Sequence, residues 1–275
     1  MPRYGMVIDV TRCDGCYNCF ITCKDEYAEM AHPGYSAAQP MTGQDWMKIM
    51  PKERGQFPKV KQDYIAVPCM QCENPACASG TGDAVYRRED GIVVIDPEKA
   101  GTEDIVSRCP YRRIYWNEAV QAGQKCTFCA HLLDAGWKEP RCVEACPTGT
   151  LIFGDLDDPD SAVSKAWDKA APMHPEYGLG EKVRYIGLPK NFVAGAVVFG
   201  DIDEFAPGVV VTLEGEGKKA TAVTDGFGDF EFEGLPTAAG YTVTVAADGY
   251  ASRQFDVKTN ASVYLGDIVL ERTPV

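Results

Sequence analysis

The spacing of the cysteines constrains this chain more than any other feature. Cys13, Cys16, Cys19 and Cys23 follow one another as C-x2-C-x2-C-x3-C. The first three converge on one tight loop, where thiolates repel each other unless a cationic iron–sulfur core holds them. The fourth stands at the start of a helical stretch and faces away from the others. Cys126-Thr-Phe-Cys129, followed by Cys142 and Cys146-Pro147, repeats the unit with its third cysteine on a longer loop.

In two-cluster ferredoxins the fourth cysteine of one stretch ligates the cluster of the other. Applied here, this crossing expects one [4Fe–4S] cluster on Cys13, Cys16, Cys19 and Cys146, and a second on Cys126, Cys129, Cys142 and Cys23. The remaining cysteines make a half-broken pair. Cys69, Cys72 and Cys77 supply three thiolates, but Thr81 stands where the fourth would be, and only Cys109-Pro110 survives of the partner stretch. Crossing then expects a third cluster on Cys69, Cys72, Cys77 and Cys109, and all twelve cysteines are used. Two other readings compete. A disulfide framework suits short secreted chains, whereas this one has 275 residues and crowds its cysteines at x2 spacing. Structural zinc also uses C-x2-C pairs, but does not explain triplets each followed by a lone distant cysteine.

With 40 acidic against 27 basic residues the net charge is −13, which argues against nucleic acid as a partner. The longest apolar run, around Phe192 to Phe199, is far below the ~20 residues that span a bilayer, so no membrane insertion is expected. Nothing at Met1-Pro-Arg-Tyr-Gly5 reads as an export segment. Every cysteine precedes residue 147, so two domains are expected, over residues 1–190 and 191–275.

Within the first, the pattern predicts a strand from Tyr4 to Val10 and a helix from Phe20 to Met30. Residues 31–67 read as a surface excursion whose Tyr35 and Trp46 either dock a partner chain or cover their own core. Asp90-Gly91 between β-rich runs predicts a hairpin, Pro97 starts a helical segment ending at Cys109, and Ile114–Asn117 pairs with the approach to Gln124 in a second hairpin. A helix follows Asp158, and a short strand begins at Val183. From Val193 the apolar period becomes two, and seven short strands predict a β-sandwich. The fold class expected is α+β: a ferredoxin-like tandem [4Fe–4S] domain followed by an all-β sandwich.

No catalytic set is evident. His131 reads as a hydrogen-bond donor to a cluster, because the cysteine count already closes the ligand sets; His32 and His174 read as loop residues. Lys125, Arg12 and Arg108 each adjoin a cysteine and either offset cluster charge or are surface side chains. Asp201, Asp203 and Glu204 read as turn residues, not as a calcium site. A chain that conducts electrons without its own active site needs a catalytic partner.

Cys-Met-Gln-Cys-Glu-Asn-Pro-Ala-Cys77, Cys109-Pro-Tyr and Lys125-Cys-Thr-Phe-Cys-Ala-His-Leu-Leu133 resemble the iron–sulfur electron-transfer subunits of the dimethyl-sulfoxide-reductase family of molybdopterin enzymes, over residues 4 to about 190. Most such subunits carry four clusters; the threonine at 81 departs from that pattern. Thr221–Pro236 with Tyr241–Val245 resembles transthyretin-like or carboxypeptidase-regulatory-like modules. Three clusters together with such a sandwich, and stretches such as Pro33-Gly-Tyr35 and Tyr115-Trp-Asn-Glu118, resemble the small subunits of transhydroxylases of the pyrogallol–phloroglucinol type. The resemblance implies a cytoplasmic heterodimer whose large subunit holds a molybdenum or tungsten bis-pterin cofactor and acts on polyhydroxylated benzenes. Resorcinol hydroxylases, catechol dehydroxylases and respiratory molybdenum reductases are the alternatives it leaves open.

Overall fold

Four consecutive buried residues, Gly5 to Ile8, lie in strand β1 (Tyr4–Asp9), and the reason is that both faces of this strand are covered. A computed structural model of the chain describes residues 1–99 and 103–274. Alternation along β1 sends Met6 and Ile8 into one hydrophobic core and Val7 into another, with Val163 and Ala170. Gly5 is required there: a Cβ would stand 2.7 Å from the Leu156 side chain.

The chain divides into two compact units, Met1–Pro51 with Asp63–Leu188, and Lys52–Gln62 with the chain from Pro189 onward. In the first, helix α1 (Asn18–Tyr27) leaves the first cysteine loop. A long hairpin, β2 (Lys48–Gln56) and β3 (Lys59–Val67), follows. Two short hairpins come next: β4 (Val85–Arg87) with β5 (Val93–Ile95), and β6 (Tyr115–Asn117) with β7 (Ala122–Gln124). Helix α2 (Ala130–Asp134) starts directly after Cys129, and helix α3 (Arg141–Glu144) carries Cys142 and packs on α1. Strand β8 (Leu151–Asp155), helix α4 (Ala162–Trp167) and strand β9 (Val183–Ile186) close the unit. β8 runs antiparallel and β9 parallel to β1. α4 is capped by Ser161, whose hydroxyl accepts from the Ser164 amide, and covers the Val7 face of the sheet.

Residues 31–47 are fixed to their own unit instead of forming an arm. The Lys24 ammonium donates to Gln39 Oε1, the Pro40 carbonyl and the Gln44 carbonyl at 2.7–3.0 Å. Trp46 is 1% exposed against Tyr27, and its indole N–H donates to Gln44 Oε1. Tyr35 donates to Asp134 at 2.5 Å. Of the two readings of these aromatics, covering the core is the one the packing supports.

The helical segment expected from Pro97 to Cys109 is reduced, among the described residues, to a 3-10 turn at Glu103–Val106; residues 100–102 lie outside the described residues.

The second unit is a sandwich. Strand β10 (Asn191–Phe199) is flanked by β11 (Glu204–Phe205), β12 (Val210–Gly215) and β13 (Lys218–Val223) follow in sequence, then β14 (Asp229–Leu235), β15 (Gly240–Ala246), β16 (Arg253–Lys258) and β17 (Val263–Leu270). One sheet runs β11-β10-β14 with β17 parallel to β10, and the other runs β13-β12-β15-β16. Period-two burial places Val211 and Leu213 of β12, Phe230 and Phe232 of β14, and Val243 and Val245 of β15 in one core. Eight strands form where seven were expected; the extra one is the two-residue β11.

The domain expected to run unbroken to residue 190 is also interrupted, because the tip of the β2–β3 hairpin belongs to the second unit. Lys52 Nζ donates to the Pro189 carbonyl at 3.2 Å and Gln56 Nε2 to the Tyr264 carbonyl at 3.1 Å. Lys61 pairs with Glu231 and Glu233, and its ammonium stands 5.2 Å from the Phe192 ring centroid. Gly55, at φ +88°, lies so close to the Lys59 carbonyl and the Phe192 ring that a Cβ would meet them at 2.2 and 2.6 Å.

Candidate iron–sulfur centres

Three groups of four thiols form in the first unit. A pocket of about 20 Å³ is lined by Cys13, Cys16, Cys19 and Cys146, with Ile49, Ala66 and Leu151 closing it. Another of about 20 Å³ is lined by Cys69, Cys72, Cys77 and Cys109, with Val93, Ile114 and Lys125. The third group is Cys23 on α1, Cys142 on α3, and Cys126 and Cys129 from the turn before α2. Cys23 faces Cys126 and Cys129, and Cys142 faces Cys129, Cys23 and Cys126. The packing of α1 on α3 is what brings residues 23 and 142 together.

None of the twelve cysteines, each of them among the described residues, is in a disulfide. Burial, with the charge of neighbouring sulfurs second, drives most of their pKa values up: Cys19 and Cys126 to about 12 and Cys77 to about 11, with Cys23, Cys72 and Cys142 also raised. A buried group of four thiols that resists ionisation is suited to a cationic metal core, which supplies the missing positive charge. Cys146 goes the other way: burial opposes it, but the backbone N–H groups of Leu151, Thr150 and Thr148 and the Thr148 hydroxyl favour the thiolate.

The backbone fits the same purpose. In the first C-x-x-C turn of each stretch the residue before the second cysteine is left-handed: Gly15 at φ +73°, Gln71 at +48° and Phe128 at +53°. For Gln71 and Phe128 this costs roughly 1–2 kcal/mol. The turn it creates directs successive N–H groups into a concavity that suits an anionic centre. The Phe128 amide lies 3.4 Å from Cys126 Sγ, and the Arg113 amide 3.4 Å from Cys109 Sγ. The donor sets and their turns fit three [4Fe–4S] clusters.

The groups adjoin in a fixed order. Cys23 of the third senses Cys19 of the first, and Cys126 of the third senses Cys69 of the second. The group containing Cys23 is therefore the middle one.

Residues 60–156 match the 4Fe-4S dicluster domain family, and residues 193–271 match the carboxypeptidase regulatory-like domain family. Over 98% of its length the chain is 42% identical to the pyrogallol hydroxytransferase small subunit of Pelobacter acidigallici, and it covers 100% of that protein. The chain belongs to the pyrogallol hydroxytransferase small-subunit family. A tetrathionate reductase subunit of Salmonella typhimurium is 35% identical over 70% of this chain and 75% of its own. Protein NrfC of Escherichia coli is 32% identical over 69% of this chain and 82% of its own.

In this member of the small-subunit family the charged residues beside the cysteines separate clearly. Arg12 donates to the Thr148 carbonyl at the surface, and Arg108 pairs with Asp104. Lys125 is 2% exposed, with its ammonium on the Val93 and Cys126 carbonyls.

His131 stacks on His32 at 3.7 Å, and its Nε2 lies 2.8 Å from Glu26 Oε1. The Nε2 of His32 is turned to the same carboxylate oxygen at 3.9 Å, and Arg141 approaches the carboxylate at 3.4 Å. The group ties α1, α2 and α3 together. His174 stacks on Tyr177 in a loop.

Thr81 donates to the Ala78 carbonyl in a tight turn. Next to it Val85, Val93, Ile95, Ile105, Ile114 and Ala122 pack as an aliphatic core around Cys77, and Gly123 lets Ile105 lie flat on the backbone.

Gln71 is the residue that cysteine counting overlooks. It is 1% exposed, and its carboxamide accepts from Val93 N at 2.8 Å and donates to the Cys126 carbonyl at 2.9 Å. Its place inside a C-x-x-C turn was the available signal.

Proposed function

We propose that this chain is the electron-transfer subunit of a cytoplasmic heterodimer, with three [4Fe–4S] clusters on Cys13, Cys16, Cys19 and Cys146, on Cys23, Cys126, Cys129 and Cys142, and on Cys69, Cys72, Cys77 and Cys109. Its partner is a large subunit that holds a molybdenum or tungsten bis-pterin cofactor and acts on polyhydroxylated benzenes, converting pyrogallol to phloroglucinol. The observation that carries this reading is the row of three adjoining thiol groups in a chain related along 98% of its length to a pyrogallol hydroxytransferase small subunit.

Each cluster, when bound, takes up and gives up one electron. The protein's own part is to hold twelve sulfurs in three groups, exclude water with Ile49, Ala66, Val93 and Ile114, and set the charge around each group through amide N–H donors and buried side chains. No helix among the described residues is long and apolar enough to cross a membrane.

Co-expression with the neighbouring large subunit, anaerobic purification and assay on trihydroxybenzenes tests the proposal. Molybdenum or tungsten in the complex and formation of phloroglucinol are expected. Reduction of tetrathionate or a sulfoxide, with no activity on benzenes, would overturn the substrate assignment.

A further inference from the structure

Lys125 combines three properties that rarely meet. Its side chain is 2% exposed, its ammonium donates only to carbonyls, those of Val93 and Cys126, and no carboxylate among the described residues pairs with it. Carbonyl dipoles do not cancel a full charge, and a buried cation without a counter-ion is costly. Something anionic must complete its surroundings.

The pocket that Lys125 lines is bounded by Cys69, Cys72, Cys77 and Cys109. Four thiolates outweigh the charge of an iron–sulfur core, so the occupied site is anionic and gains one further negative charge on reduction. Lys125 also bonds the carbonyl of Cys126, which puts its charge at the junction with the middle group. The carboxylate near this pocket, Glu181, stands on the side of Cys72 and Tyr111. Among the described residues, none lining the pocket of Cys13, Cys16, Cys19 and Cys146 is a lysine or arginine; Arg12 there is exposed and turned to the Thr148 carbonyl.

We propose that Lys125 is the buried counter-charge of the Cys69, Cys72, Cys77 and Cys109 cluster, raising that cluster's reduction potential and so making the end of the row remote from Cys13 the favoured resting place of an electron. This rests on the cluster assignment above. Lys125 is a positioning residue: it moves no proton and carries no electron, and it acts because a fixed positive charge stabilises the reduced, more negative state.

The test is an anaerobic redox titration of the complex, followed by electron paramagnetic resonance, for the native protein, Lys125→Met, and Lys165→Gln as an exposed control on α4. Lys125→Met is expected to lower the potential of one cluster, the one whose signal Cys109→Ser also alters, with a smaller shift of the middle cluster, none at the Cys13 cluster, and no loss of iron. Lys165→Gln is expected to move nothing. Full iron content with unshifted potentials, or a shift confined to the Cys13 cluster, overturns the proposal. Iron-free native protein would instead overturn the cluster reading itself. Should Lys125→Met lose iron, Lys125→Arg and Lys125→Gln decide: retention of the cluster by the arginine variant alone supports a charge role, and loss in both overturns it in favour of shape.

Discussion

Gln71 and Cys126 belong to different cysteine stretches, yet the carboxamide of one donates to the carbonyl of the other at 2.9 Å. The same side chain holds Val93 N of β5, and Lys125 reaches the same two residues through their carbonyls. The seam between two thiol groups is thus built from hydrogen bonds that are buried at Val93 and part-buried at Cys126. Gln71→Leu keeps the volume but strands the Val93 amide, at a cost of roughly 1–3 kcal/mol, while the Cys126 carbonyl keeps its bond from Lys125. A lowered urea midpoint under anaerobic conditions is expected, and an unchanged midpoint would show that the seam relaxes.

The crossing of ligands has a direct consequence for spectra. Cys109→Ser and Cys69→Ser are expected to alter the same cluster and leave the other two signals in place, while Cys23→Ser alters the cluster that Cys142→Ser alters. Anaerobic analysis of the native chain should give about twelve iron atoms and as much sulfide.

Trp46 is 1% exposed and packs on Tyr27, which itself donates or accepts at Thr127 beneath α2. Trp46→Ala is expected to cost about 3–5 kcal/mol, measured by anaerobic denaturation. A loss below about 1 kcal/mol would return this aromatic to the role of a partner contact.

Gly55→Ala tests the hairpin tip. Both the left-handed φ of +88° and the 2.2 Å approach of a Cβ to the Lys59 carbonyl oppose it. Destabilisation above ~1 kcal/mol is expected, and thermal scanning of the full chain measures it.

Lys61 supplies a pH dependence. Its hydrogen bond, ahead of one from Glu231, holds the Glu233 carboxyl below its ordinary value of 4.5. A carboxyl depressed in the folded state stabilises the protein above that value, and the contribution fades as pH falls through the lower folded value. The Glu233 side chain is 61% exposed, so the effect is under about 1 kcal/mol. Native and Lys61→Met stabilities should differ at pH 6 and converge toward pH 3; a gap that is constant with pH would assign the effect to packing on Phe192.

Much of this was legible in the residues, and for identifiable reasons. β1 was readable because an apolar run of that length fits only a strand covered on both faces, and the Asp90-Gly91 hairpin because its turn residues are the ones such a turn needs. Cysteines two residues apart in one turn come together by spacing alone, whereas the distant member of each thiol group, Cys146, Cys109 or Cys23, is expected only from the crossing of ligands in two-cluster ferredoxins.

The β2–β3 hairpin was not legible. Lys48 to Gln56 has only Ile49 and Met50 as large apolar residues and includes Pro51, and its outer half binds through Lys52, Arg54 and Gln56 to carbonyls, leaving no apolar period to read. Nor did sequence distinguish Lys125 from Arg12 and Arg108. All three adjoin a cysteine, and only the tertiary packing decides which of them is sealed from water.

The hairpin tip also bears on synthesis. Lys52 leaves the ribosome 137 residues ahead of Pro189, whose carbonyl it later bonds. Throughout that interval Lys59, Lys61 and Gly55 lack the surface that receives them. Truncation at the carboxy-terminal unit, or premature termination, would leave a bare charged ribbon behind, a ready handle for proteolytic quality control.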